Sequence, residues 1–311
     1  MNGVLLRSVF AGLLTLCSLT ASADSSTALQ LFSRSASVHG SPVFTLEEQQ
    51  WLREKNTLVL GTSAPDSPPF DISSSGEDYE GVTTDFMGLI AQGLAVNVDV
   101  RRFESRADAL EALRNGTIDL LGTSSERELG GSDVSASIKY TPDWPVLLQR
   151  IGETSPASGD LRGKRLAFST LYLNQADVAK RYPDAIAVPF TSSMTAVAAV
   201  VFGQADAMLS DVTAGRYLIN RYFPNDLRAS RISGKGSWGF VFAVRADNKS
   251  LLHVVNKALA VIDDEQRHSI FERWGGGGIL KSNLPSLSNE QLDWIKERRI
   301  VKVAVNDQLA P

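Results

Sequence analysis

A helix-period stretch that ends in glycine and runs straight into a short apolar strand occurs twice in this chain. No other feature constrains the fold as much. Ala107 to Asn115 places Leu110 and Leu113 on one face, Gly116 stands at the C-cap position, and Ile118-Asp119-Leu120-Leu121 reads as a buried strand. Thr195 to Phe202 repeats the helix with Val197, Val200 and Val201. Gly203 ends it, and Ala205-Asp206-Ala207-Met208-Leu209 is the strand. Both copies read Gly-x-[Ile/Ala]-Asp-apolar-apolar. Each strand then runs into small polar residues, Gly122-Thr123-Ser124-Ser125 in one and Ser210-Asp211 in the other. Helices alternating with short apolar strands predict an α/β fold with mostly parallel sheets, and two such units predict two lobes. In open α/β sheets a ligand sits outside the carboxyl ends of the strands. Thr123 to Arg127 and Ser210-Asp211 are therefore expected at comparable edges, as a clamshell needs.

The amino terminus reads as a targeting segment. Arg7 is the only charge in the opening stretch, Val9 to Leu19 is almost wholly apolar, and Ala21-Ser22-Ala23 fits a small-x-small cleavage site. This predicts a secretory signal peptide over residues 1–23, removed before Asp24. An uncleaved anchor is the alternative, for which the apolar stretch is short. The lone cysteine, Cys17, lies inside this segment and follows Leu16, where a lipoprotein signal needs a small residue, so no lipid anchor is expected. The mature chain would hold no cysteine and no disulfide. Residues 24–44, rich in Ser and Ala without a sustained period, read as a flexible leader.

A second repeat spans the chain. Thr45 and Glu48 form a capping-box pattern ahead of a helix at Leu46 to Lys55, followed by a strand at Leu58 to Gly61 and a three-proline turn, Ser63 to Phe70. Ser288 and Gln291 repeat the box. Trp51 and Trp294, Leu58 and Val301, and Pro68 and Pro311 are each 243 positions apart. Residues 281–311 are therefore expected to be a linker and the start of a second copy, within a longer protein. Two unrelated helix–strand pairs are the alternative.

Other functions find little support. A hydrophobic share of 43% over 311 residues allows two bodies with real cores. A net charge of −4 without a run of Lys and Arg argues against a nucleic-acid module. His39, His253 and His268 are scattered without metal-ligand spacing, and no Gly-x-Ser-x-Gly, phosphate loop or nucleophilic cysteine is present. The glycine run Gly275 to Gly278 follows a helix and reads as a flexible link. No catalytic residue, metal site or cofactor is predicted.

Residues from about Thr57 to Gly275 resemble the family-3 extracellular solute-binding proteins of the polar amino acid receptor type. The matching stretches are Leu58 to Phe70 with its closing Pro69-Phe70, Gly81-Val82-Thr83-Thr84-Asp85-Phe86, Gly116-Thr117-Ile118-Asp119, and Asp160-Leu161-Arg162-Gly163-Lys164-Arg165-Leu166. They continue with Ala205-Asp206-Ala207-Met208-Leu209-Ser210-Asp211, Gly239 to Arg245, Asn256-Lys257-Ala258-Leu259 and Ile270-Phe271-Glu272-Arg273-Trp274. Each is weak alone; their order and spacing together are strong. The resemblance implies a two-lobed, periplasmic-binding-protein-like (type II) clamshell over residues 45–280 with two hinge crossings. Lobe 1 is expected over about 57–150 and 240–280, and lobe 2 over about 151–239.

In that family an arginine following Thr or Ser clamps a ligand carboxylate, which implies the role for Arg127 beside Thr123 and Ser125. A guanidinium fork suits a carboxylate. The alternative is an exposed Arg127 balanced by Glu126 and Glu128. An aspartate ending a lobe-2 strand pairs with a ligand ammonium, which implies Asp211; the alternative is capping of the next helix. Ser169 and Thr170 are expected to open a helix whose N–H groups receive an anion, or simply to cap it. Phe70 is expected in the pocket wall, with a plug of the lobe as the alternative, and Asp85 to cap a helix rather than touch ligand. The family's Phe-Ser-x-Pro-Tyr is degraded here to Ile138-Lys139-Tyr140-Thr141-Pro142, which leaves the ligand open between an amino acid, a carboxylate without an ammonium, and none.

Tandem domains of this kind resemble the periplasmic sensor region of BvgS-like hybrid sensor histidine kinases. This implies a small-molecule ligand, a following flytrap domain in the same chain, a homodimer, and an inner-membrane anchor and kinase further on. The alternatives are a receptor for an amino acid uptake transporter and, less favoured, a periplasmic dehydratase or the solute-binding region of a lytic transglycosylase.

Overall fold

The computed structural model describes residues 26–35, 37–73, 76–125, 128–129, 133–141, 144–153, 161–232 and 239–275. The expected signal peptide, Arg127 and the expected second copy from residue 281 onward lie outside them. The first lobe opens with β1 (Thr27–Leu31), α1 (Leu46–Lys55), β2 (Thr57–Ser63), β3 (Asp78–Tyr79) and α2 (Val82–Leu94). It continues through β4 (Asn97–Phe103), α3 (Arg106–Asn115), β5 (Leu120–Ser125) and β6 (Val134–Ala136). The second lobe holds β7 (Pro145–Arg150), β8 (Arg165–Ser169), α4 (Gln175–Arg181), β9 (Ile186–Phe190), α5 (Ser193–Val201), β10 (Ala207–Asp211), α6 (Val212–Tyr222) and β11 (Leu227–Arg231). The chain then returns to the first lobe with β12 (Phe240–Arg245), α7 (Lys249–Ala260) and α8 (Asp264–Arg273).

The sheets run β3-β1-β4-β2-β5-β12-β6 and β11-β7-β10-β8-β9. In each, a parallel core (β4-β2-β5 and β10-β8-β9) meets antiparallel strands at the crossings. The first crossing lies before Pro145, not after Arg150: β7 pairs with β10 and β11, so residues 145–150 belong to lobe 2. The presumed leader also differs. Thr27–Leu31 forms a strand antiparallel to β4 and parallel to β3.

The repeated Gly-x-x-Asp has one structural meaning in both lobes. Gly116 and Gly203 turn the chain with φ of 81° and 73°, which only glycine adopts at no steric cost. The aspartate then stitches the neighbouring parallel strand at its start. Asp119 accepts the Val59 N–H at 2.8 Å while its own N–H bonds Val59 O at 2.9 Å. Asp206 accepts the Arg165 N–H at 2.7 Å while its own N–H bonds Arg165 O at 2.9 Å. The Arg165 guanidinium also pairs with Asp206 and holds that carboxyl down at about 2. The capping box forms as expected, with Thr45 N–H on Glu48 at 2.7 Å and Glu48 N–H on Thr45 Oγ1 at 3.2 Å. Glu48 also binds Lys257 at 2.7 Å, which ties α1 to α7.

Helix α2 is buried along almost its whole length between the lobe-1 sheet and α7 and α8. Its first turn carries Asp85, fully buried. Asp85 does not cap the helix; Gly81 at the N-cap makes no side-chain bond. Asp85 instead accepts the Arg34 N–H at 2.6 Å, Arg273 Nη1 at 2.6 Å and the Trp274 indole N–H at 2.9 Å. One carboxylate thus ties the amino-terminal segment and the end of α8 to α2. With the Ser33 hydroxyl at 3.4 Å, removing it strands four donors, one of them the Arg273 guanidinium. Asp85→Ala is expected to cost about 3 kcal/mol in urea denaturation. Glu80→Ala, which breaks only the surface pair with Arg34, is expected to cost under about 1 kcal/mol.

Candidate functional site

The carboxyl ends of the parallel strands gather the polar residues of both lobes. In lobe 2, Leu209 of β10 pairs with Phe168 of β8. Ser210 and Asp211 follow Leu209 at the end of β10, as Ser169 and Thr170 follow Phe168. Asp211 is buried at 5% exposure and caps α6 through Ala214 N–H at 2.8 Å. Capping does not neutralise it. No cationic side chain among the described residues pairs with it, and burial pushes its carboxyl up to about 6 despite the backbone donors of Ala214 and Thr213.

Ser169 is buried and accepts the Leu171 N–H at 3.3 Å; Thr170 is exposed. The expectation that they open a helix is not met. Thr170 N–H bonds Phe190 O at 2.8 Å, and α4 starts at Gln175 behind its own cap, Asn174. A strand N–H already committed to a neighbouring carbonyl has nothing left for an anion.

In lobe 1, β5 ends in a strained residue and a buried polar relay. Thr123 has φ of 47°, in the left-handed region that β-branched residues avoid. Its N–H donates to the Tyr140 hydroxyl at 3.2 Å, Tyr140 meets Thr83 Oγ1 at 3.0 Å, and Thr83 meets Thr123 Oγ1 at 2.7 Å. The hydroxyls of Thr123 and Thr83 also bond the Asp71 carboxyl, which closes the relay on a buried acid. Asp71 also accepts the Tyr79 O–H at 2.5 Å. Burial raises the Asp71 carboxyl, opposed by these hydroxyls and by the charge of Arg106. Burial likewise holds the phenols of Tyr79 and Tyr140 above their ordinary value.

Ser125 is half-buried; its hydroxyl accepts the Glu128 N–H at 3.2 Å. Phe70 is buried at 1% exposure, its ring 4.5 Å from that of Phe240, which in turn lies 6.2 Å from Tyr172 of lobe 2. The expected pocket wall is therefore part of an aromatic bridge, and one apolar cluster runs through it from lobe 1 to lobe 2.

Thr123 and Ser125 thus meet at one strand end, and Ser169, Thr170 and Asp211 at another. Asp71, Tyr79, Thr83, Arg106 and Tyr140 escaped sequence reasoning. Apart from the Asp71–Tyr79 pair, their partners lie further off in the chain, and the one signal was Tyr140 within the degraded Phe-Ser-x-Pro-Tyr stretch.

Two α/β lobes joined by two crossings, each with polar residues at the carboxyl ends of its parallel strands, define a periplasmic-binding-protein-like clamshell of the Venus flytrap kind. The chain belongs to the bacterial extracellular solute-binding proteins, family 3, which it matches over residues 58–277. It is 38% identical over 267 residues to the virulence sensor protein BvgS of Bordetella pertussis, covering 85% of this chain and 22% of that protein. It is 22% identical over 271 residues to the sensor protein EvgS of Escherichia coli K12, again covering 85% and 22%. The chain therefore spans about a fifth of the length of these relatives. The crystal structure of the B. pertussis BvgS periplasmic domain superposes with a TM-score of 0.74 at 36% identity, over 87% of this chain and 53% of that one.

Asp211 makes stability depend on pH with a definite sign. Its folded carboxyl binds a proton more tightly than the unfolded one, so its contribution is present below the ordinary value of 3.8 and is lost as pH rises through about 6. Asn keeps the cap and removes the charge. Asp211→Asn without ligand is expected to exceed the parent in stability by up to about 3 kcal/mol near pH 7.5 in denaturant titrations. The gain should vanish by about pH 4.

Proposed function

We propose that this chain is a ligand-sensing region of a periplasmic, membrane-anchored sensor histidine kinase. It binds a small amino-acid-like carboxylate between its lobes. The observation that carries the ligand class is Asp211. A carboxylate buried at 5% exposure, raised to about 6 and left without a cation, is costly unless a bound cation completes it. A ligand ammonium supplies that charge. Arg127, from the order of residues after Thr123 and Ser125, supplies the fork for the ligand carboxylate. The sensor context rests on the likeness to BvgS and EvgS, each over 85% of the chain. The expected signal peptide supports export.

A ligand held by both lobes shifts the open–closed equilibrium by its differential affinity for the closed form. The exit of the domain feels that motion. A Cβ built at Gly275, just past α8, would stand 3.6 Å from the Tyr217 Cα on α6 of lobe 2. Closing or opening the lobes therefore acts on the chain where it leaves for the following domain.

The test is a calorimetric and thermal-shift screen of the full chain against the twenty L-amino acids and the dicarboxylates succinate and malonate. An L-amino acid should bind. Arg127→Ala should abolish binding, and Asp211→Asn should weaken it about 30-fold or more, the loss typical of one partner of a buried charge pair. A dicarboxylate bound equally by parent and Asp211→Asn would remove the ammonium from the proposal. A chain that binds nothing on the panel contradicts it altogether.

A further inference from the structure

Arg106 is the first residue of α3, directly after the N-cap Ser105. A cation there opposes the helix dipole, whose positive end favours acids. The position is compensated from outside the helix. Its Nη1 donates to Gly122 O at 3.1 Å, and Nη2 to Thr123 O at 3.3 Å and Ser124 Oγ at 2.7 Å. Nε and Nη2 hold the Glu128 carboxylate at 2.6 and 2.8 Å. The side chains of both partners are under a fifth exposed, at 16% and 19%. One guanidinium thus fastens three consecutive residues of the β5 end and joins them to Glu128, whose N–H closes on Ser125 O at 3.0 Å.

This is the place where the backbone needs holding. Thr123 keeps φ of 47° only while its surroundings over-determine it. The Thr83–Tyr140 relay grips its amide and hydroxyl, and Arg106 grips the carbonyls on either side of that strained residue. A lysine cannot replace it, because a point charge lacks the planar set of donors that reaches two carbonyls, a hydroxyl and a carboxylate together.

We infer that Arg106 is a positioning residue for the solute site: by holding Gly122, Thr123 and Ser124 it fixes the backbone course along which the half-buried Ser125 leaves β5 for the cleft. The inference rests on the proposal that the cleft binds an amino-acid-like solute. It names a determinant outside the cleft, acting through the strand end.

The full chain with Arg106→Lys, Arg106→Gln or Glu128→Gln tests this by two measurements. Amide hydrogen exchange of peptides covering 120–128 should accelerate about tenfold or more in the Arg106 variants, with lobe-2 peptides unchanged. Calorimetric affinity, probed with the twenty L-amino acids, should fall about tenfold in Arg106→Lys, which keeps its melting temperature within a few degrees. The weakening of binding by Asp211→Asn should persist in the Arg106→Lys background, and Glu128→Gln should show a smaller loss in both measurements. If the parent binds an amino acid and the Arg106 variants bind it equally well, or exchange in 120–128 is unaltered, the positioning role is overturned while the solute site stands. If the parent binds no amino acid, the solute site and the positioning role fall together.

Discussion

The buried Asp85 carboxylate is the constraint on which the frame depends. It accepts from the backbone of Arg34, from Arg273 and from Trp274, so the amino-terminal segment and the last helix close over α2 through one group. Two residues earlier in the same helical turn, Thr83 enters the relay with Thr123 and Tyr140. The turn Val82–Asp85 thus fastens the frame on one side and orients the β5 strand end on the other. Site and scaffold cannot relax independently, because close-packed interiors transmit strain. A shift at the strand end therefore has a short physical route to the amino-terminal segment and to the end of α8.

Much of the fold was legible because its signals are local. The helix–Gly–x–x–Asp–strand units report their own geometry: the glycine turns and the aspartate clamps the adjacent parallel strand in each lobe. The Thr45–Glu48 box likewise needs only four residues to declare itself. What escaped notice depends on distant partners. Strand β1 is short, half-exposed and unremarkable in sequence; β4, some seventy positions away, makes it a strand. The crossing before Pro145 was missed because residues 145–150 are a plain apolar run, and only their pairing with β10 and β11 assigns the lobe.

The site was partly legible for the same reason. Asp211 could be read from its position after Ala207-Met208-Leu209, and its two readings coexist, since it caps α6 and remains an unneutralised buried charge. Ser169 and Thr170 were misread as a helix start because the true cap, Asn174, lies a turn further on. Of the two readings of Phe70, pocket wall and lobe plug, its burial against Phe240 fits the plug. Three locally unfavourable choices converge at the strand ends: Thr123 at positive φ, Arg106 against a helix dipole, and Asp211 buried without a cation. Local rules broken together at one place mark it as the candidate site.

The central claim is that Asp211 awaits a cationic group on the ligand. Its most direct test is proton-linked calorimetry, with the binding amino acid titrated at pH 6 in buffers of differing ionisation enthalpy. A carboxyl near half-protonation that ionises against a ligand ammonium should release about half a proton per ligand bound, falling to none near pH 8. Binding without proton release at pH 6, or with equal release from Asp211→Asn, would contradict the account.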